Sequence, residues 1–165
     1  MSRAGLRFLA LFVLVFSILQ APPAGHADTG LPLPRFASLR ATKVYMRTGP
    51  GVRYPVEWVY KFRGMPVEIV AEFNHWRKVR DWQGSEGWVH SSMLSGRRMA
   101  LVTGGLQPLR RAPESDAPLV ARVEEKVLAQ ILECQGQWCR IEAAGTRGWI
   151  MRTHIWGVYP GETLK

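Results

Sequence analysis

The chain has 165 residues, with 22 Lys+Arg against 13 Asp+Glu and a formal net charge of +9. Hydrophobic residues at 47% and charged residues at 21% are a globular composition, which argues against long disorder. The length argues against a large multi-domain enzyme and leaves room for one medium domain or two very small ones. The 16 Gly and 11 Pro favour many turns over long helices.

At the N-terminus, Arg3 and Arg7 precede residues 8–19, which are apolar but for Ser17. Gly25-His26-Ala27 then offers small residues at the −3 and −1 positions of a cleavage site. This predicts residues 1–27 as a cleavable signal peptide and an exported, periplasmic or secreted product. A membrane-spanning helix needs roughly 18 apolar residues. This run stops at Gln20 and Pro22, so no stable membrane anchor is expected after cleavage. Residues 28–35, with Leu31-Pro32-Leu33-Pro34, read as an extended linker.

Beyond the linker, the sequence repeats. Arg47, Pro50 and Pro55 match Arg110, Pro113 and Pro118 at an offset of 63. Ile69 and Trp76 match Ile131 and Trp138 at 62, and Gly87-Trp88-Val89 matches Gly148-Trp149-Ile150 at 61. Two Trp, two Pro and a Gly-Trp held in order define two copies, 36–98 and 99–160, followed by a tail, 161–165.

Each copy reads as short strands and turns. A strand is predicted over 67–71, a turn over 72–75, and an alternating strand over 76–82 with Trp76, Lys78, Arg80 and Trp82 on one face and Val79 on the other. Residues 83–87 read as a second turn, 87–90 as the start of a strand, and 91–94 as a short helical turn. In the second copy, strand-like runs at 127–133 and 140–143 flank Cys134-Gln135-Gly136-Gln137-Trp138-Cys139. Close spacing across a turn in an exported chain predicts a structural Cys134–Cys139 disulfide. No segment carries sustained helical periodicity, so each copy is expected to be a small, partly open all-β barrel.

The residues from Val44 to Val56, Val-Tyr-Met-Arg-Thr-Gly-Pro-Gly-Val-Arg-Tyr-Pro-Val, resemble the opening of bacterial SH3-like domains. Trp76-Arg77-Lys78-Val79 is similar to that family's W-x-K-V, and the run from Gly84 to Ser92 is similar to its G-x-x-G-W-V-H-x-S. The resemblance covers essentially the whole mature chain but is weaker in the second copy, where Ala112 and Glu114 replace Gly49 and Gly51. If those glycines serve a positive φ, the second loop should adopt another conformation. The resemblance implies tandem SH3-like barrels used for targeting or binding, with peptidoglycan or its stem peptides as the class of ligand. The same grooves could instead recognise an extended peptide of an envelope protein.

The residues themselves point the same way. Residues 35–98 carry 12 basic and 5 acidic side chains, whereas 99–165 carry 8 and 7. The first copy is therefore the half expected to meet an anionic partner, and outside the cytosol that is not nucleic acid. Tyr45, Arg47, Tyr54, Trp58, Trp76, Arg80 and Trp82 are the candidate ligand-binding residues, because an aromatic floor with a cationic rim suits sugar rings and carboxylate-bearing peptides. Arg47 and Arg110 are also suited to holding their loops through carbonyl oxygens. Pro50, Pro113, Trp88 and Trp149 read as structural repeat residues. No nucleophile–base set emerges and the histidines have no zinc-like spacing, so neither catalysis, nor a metal, nor a cofactor is expected. A groove, if formed, is expected in the first copy or between the copies, because Ala117 and Ala121 replace Tyr54 and Trp58 in the second.

Overall fold

The computed structural model describes residues 29–165, so the predicted signal peptide lies outside the described residues. The first copy forms β1 (Arg35–Leu39), β2 (Val44–Arg47), β3 (Val56–Tyr60), β4 (Pro66–Phe73), β5 (Trp76–Arg80), β6 (Glu86–His90) and β7 (Leu94–Ser95). The second forms β8 (Met99–Val102), β9 (Gln107–Arg110), β10 (Leu119–Val123), β11 (Leu128–Gln135), β12 (Trp138–Ala143), β13 (Thr146–Met151) and β14 (Ile155–Trp156). The strand orders β3-β2-β6-β5-β4-β1-β7 and β10-β9-β13-β12-β11-β8-β14 trace the same path twice. The chain is thus a tandem pair of SH3-like β domains, with a single 3₁₀ turn at Ser91–Met93 and its counterpart at Arg152–His154.

Side-chain alternation divides each sheet into a core face and an outer face. On β5, Arg77 and Val79 are buried while Trp76, Lys78 and Arg80 are half-exposed. Leu39, Val44, Met46, Val67, Val79 and Val89 centre one core, and Val102, Leu109, Ile141 and Ile150 the other. The Gly-Trp signature marks where two strands run unusually close. A Cβ on Gly87 would lie 2.9 Å from the Arg47 carbonyl, and one on Gly148 would lie 2.8 Å from the Leu109 side chain. Trp149 is buried, and Trp88 is half-buried opposite Arg47.

Three turns differ from expectation, one being the β5–β6 turn, which starts at Asp81 because β5 stops at Arg80 and not at Trp82. The β4–β5 turn shrinks from 72–75 to Asn74 and His75, because β4 continues until Phe73 pairs with Trp76. Asn74, at φ 49°, takes the left-handed conformation that a two-residue hairpin needs and that Asn tolerates. Gly49 and Gly51 are not at positive φ. Gly49 is small for another reason: a Cβ there would lie 2.4 Å from the Tyr54 ring. In the second copy the ring is gone (Ala117), so Ala112 fits. The loop keeps its shape: Gly51 N donates to Gly49 O at 2.9 Å, and Glu114 N donates to Ala112 O at 2.9 Å.

The hairpin closing β4 on β5 is locked at one cross-strand position in both barrels. In the first, Glu72 faces Arg77, with 3.1 Å between Oε1 and Nε. In the second, the equivalent pair is Cys134 and Cys139, joined by a disulfide as the sequence predicts. Each lock also receives a terminal segment. Glu72 accepts from Thr29 N at 2.9 Å and pairs with Arg35, so residues 29–34 dock on the first barrel, with Leu33 against its core. Cys134 exchanges backbone hydrogen bonds with Leu164, which draws the tail onto the second barrel.

The barrels meet along a row of side chains that crosses β1, β4 and β5. Phe36, Glu68 and Arg80 are successive register partners, so all three point outward on the same side. The Phe36 ring packs edge-on to Trp156 at 5.0 Å and against Tyr159 at 4.6 Å. Tyr159 donates its hydroxyl to Glu68 at 2.8 Å. Burial, then that carboxylate, pushes the phenol pKa well up, so it remains a donor. Arg98 lies over Phe36 and forms a two-pronged ion pair with Glu162.

Two outcomes test these packing arguments. Gly49→Ala should cost roughly 2 kcal/mol by overpacking against Tyr54. In a Tyr54→Ala background most of that cost should vanish, a coupling of about 1 kcal/mol or more by denaturant unfolding. For Glu72, burial would raise the carboxyl pKa, but hydrogen bonds from Arg35 and Thr29 outweigh it and hold the pKa below the ordinary value. A depressed folded pKa contributes stability that is present above the unfolded value and is lost as pH falls through the folded one. Glu72→Ala should therefore cost on the order of 2 kcal/mol at neutral pH. Thermal unfolding should show that difference shrinking as the pH falls below the ordinary carboxylate range and through the depressed native value, where the carboxylate is itself protonated.

Candidate functional site

A groove of about 340 Å³ opens on the outer face of the first barrel, lined by Lys43, Tyr45, Arg47, Val52, Trp76, His90 and Met93. It forms where β2, β5 and β6 lie side by side, with the β2–β3 loop on one side and the 3₁₀ turn on another. Tyr45 points outward because its neighbours Val44 and Met46 point into the core. Trp76 starts β5, and its ring meets His90 edge-on at 5.4 Å. His90 Nδ1 lies 2.7 Å from Ser92 Oγ and also accepts from Ser92 N, so the imidazole caps the 3₁₀ turn that carries Met93.

The groove's rim is cationic. The Lys43 ammonium lies 5.1 Å from the Tyr45 ring centroid, and the Arg47 guanidinium lies 6.0 Å from it. Arg47 fulfils the loop-holding expectation: its Nη1 donates to Val52 O at 3.1 Å and to Tyr54 O at 2.8 Å. Its Nε and Nη2 have no protein acceptor among the described residues. No carboxylate lines the groove. Aromatic faces, a thioether and two cations with no acid between them suit a ligand with an apolar or ring-like body and a negative group.

Of the seven residues singled out in sequence, Tyr45, Arg47 and Trp76 come together here. The other four serve elsewhere. Tyr54 braces the loop from within, lying against Gly49 with the Arg53 guanidinium 5.1 Å from its ring. Trp58 is 56% exposed on edge strand β3 and pairs with Met46, which puts it on the opposite face from Tyr45. Arg80 is held by Glu68, with Nη2 to Oε2 at 2.6 Å, in the inter-barrel row. Trp82 lies 5.7 Å from Lys126 of the second barrel. Trp76 and Arg80 do share a face, but four residues of strand separate them by about 13 Å. Sequence reading passed over Lys43, Val52, His90 and Met93. Only His90 carried a signal, since alternation along β6 puts it outward beside Trp76.

The second barrel keeps a smaller version. Pro108, Arg110, Ser115, Trp138, Met151 and His154 line a groove of about 150 Å³. Each matches a residue of the first groove, with Pro108 in place of Tyr45. Arg110 repeats the loop bond, donating to Ala117 O at 2.7 Å. Among the described residues, no group of three or more His, Cys, Asp or Glu is placed to hold a metal ion.

A family model for the bacterial SH3 domain matches the chain twice, over residues 40–96 and 104–157. Similar solved structures include NlpC2 and NlpC1 from Trichomonas vaginalis, at 16% and 17% identity and TM-scores of 0.35 and 0.34. Those matches cover 76% and 78% of this chain, and 49% and 48% of those chains. An NlpC/P60 family protein from Bacillus cereus ATCC 10987 matches at 14% identity and a TM-score of 0.34, covering 76% of this chain and 57% of that one. The chain thus spans about half the length of these proteins, and no curated protein matches it. With one family match on each barrel, together covering more than half of its residues, the chain belongs to the bacterial SH3 domain family.

Proposed function

We propose that the protein is a non-catalytic binding module of the bacterial cell envelope. Its first-barrel groove takes peptidoglycan, through a stem peptide or the sugar ring that bears it. The observation that carries this reading is the acid-free groove in which Tyr45 and Trp76 stand beside Lys43 and Arg47. The rings offer stacking faces, and the cations offer partners for stem-peptide carboxylates. Family membership supports a cell-wall-associated role, and the disulfide fits an oxidising, periplasmic or extracellular location.

A second reading, an adaptor for an extended peptide of an envelope protein, draws on the sheet edges. Edge strand β3 exposes Val56 and Trp58, and edge strand β10 exposes Leu119 and Val120. A peptide could add to either as a further strand.

Co-sedimentation of residues 28–165 with purified insoluble peptidoglycan at low and high salt separates these readings. Binding should survive high salt and fall about tenfold in Trp76→Ala, with a similar loss in Tyr45→Ala. Trp82→Ala should bind as the parent does, since Trp82 faces the second barrel. Binding abolished by salt alone would reduce the effect to screened attraction by the basic face. No binding under either condition would favour the adaptor, to be pursued with Trp58 and Val56 variants against envelope proteins.

A further inference from the structure

We infer that the junction between the barrels holds a second, separate binding site, built for a phosphate group. A cleft of about 400 Å³ is lined by Ser38, Leu39, Arg40, Arg63, Gly64, Ser95, Arg97 and Met99. It contains three arginines and no acidic side chain. Among the described residues, five arginines have neither an ion pair nor a guanidinium hydrogen bond: Arg40, Arg63, Arg97, Arg111 and Arg122. Three of those five converge on this one cleft, although like charges repel and each could have been solvated separately.

The backbone under each arginine is fixed. Buried Ser38 donates its hydroxyl to Arg97 O at 2.9 Å, and Arg97 N donates to Ser95 Oγ at 3.2 Å, so two serines clamp the Arg97 peptide. Arg40 N donates to Met93 O at 2.8 Å. Gly64 N donates to Leu39 O at 2.8 Å, which ties the Arg63 loop to β1. Gly64 sits at φ 83°, where a side chain would be strained, and its Cβ position lies 3.2 Å from Met99 of the second barrel. Anchoring of this kind lowers the entropy lost when long side chains close on an anion.

The fold does not require the arginines. The matching backbone bonds in the second barrel, Val102 N to Val127 O and Lys126 N to Val102 O, align Thr103 with Arg40 and Glu125 with Arg63. The same scaffold there carries a neutral and an acidic side chain. Three arginines lining one concavity, with no carboxylate among its lining residues, match the charge and the several acceptor oxygens of a phosphate better than a single carboxylate. A free or soluble phosphate compound and a phospholipid headgroup would both present that chemistry.

The test uses residues 28–165 and two probes. Inorganic pyrophosphate is titrated by calorimetry with NMR mapping, and vesicles of phosphatidylglycerol in phosphatidylcholine are used for co-sedimentation. Arg63→Gln and Arg97→Gln should each weaken binding about tenfold. The double variant Arg111→Gln/Arg122→Gln, which removes more charge from outside the cleft, should bind as the parent does. Circular dichroism confirms that every variant is folded. Binding of pyrophosphate in solution identifies a soluble phosphate compound as the ligand class, and binding of vesicles alone identifies a headgroup. Equal losses in the cleft and control variants, or no binding of either probe, would overturn the proposal. Trp76→Ala leaves this binding intact, so the outcome is independent of the peptidoglycan result.

Discussion

The docking of Phe36 between Trp156 and Tyr159 is the contact on which the arrangement of the molecule depends. Two small barrels joined by a short linker would ordinarily move as separate bodies. Here the aromatic cluster is flanked by ions on both sides, Arg98 with Glu162 and Arg80 with Glu68. It also decides what else is free. Because Glu68 and Arg80 share the Phe36 side of the sheet, they are committed to the junction. The same closure brings Met99 over Gly64 and turns the linker arginines in opposite directions. Arg98 enters the aromatic contact, while Arg97 faces the cleft.

The duplication shows which features the barrel needs and which it can exchange. Both copies keep a glycine where β2 passes β6 and where β9 passes β13, because the strands are too close for a Cβ. Both keep the arginine that holds the following loop. The hairpin lock is exchangeable: an ion pair serves in one barrel and a disulfide in the other, at the same cross-strand position. The Gly49–Tyr54 contact is exchangeable as a unit, since Ala112 and Ala117 replace both partners together. A large residue removed from one side permits a larger one on the other, so the loop conformation survives.

Periodicity and turn chemistry made the all-β architecture legible, together with the strand faces, the repeat, the disulfide and the 3₁₀ turn. These are local, and they are written in residues only a few positions apart. What stayed hidden depends on contacts between distant segments. The role of Gly49 could not be read without knowing that the Tyr54 ring folds back onto it. Arg80 and Trp82 carried the right chemistry for a ligand surface, and Arg80 lay on the right face of β5, which ends there and leaves Trp82 in the next turn. Only the position of the second barrel shows that they are already engaged. Met93 was missed for the converse reason, because the 3₁₀ turn that follows β6 brings it to the groove, whereas His90 stands beside Trp76 as its register partner and was open to a reading of strand alternation.

Within the basic surplus of the first copy, which in sequence is one undifferentiated number, three populations stand out on structural grounds. Arg35, Arg77, Arg80 and Arg98 are neutralised by carboxylates within the fold. Arg47 is tethered to carbonyls through Nη1 yet lines the groove, where Lys43 joins it. Arg40, Arg63 and Arg97 are unneutralised and anchored only through their backbones. A surface that needed charge merely for solubility would spread it, because crowding like charges raises the free energy of the folded state. Placing three unneutralised arginines along one cleft and two more cations on one groove rim is a cost that an anionic ligand would offset on binding. The two sites lie on opposite sides of a division that the fold itself makes. The groove belongs to one barrel, and the cleft exists only where the two barrels are joined.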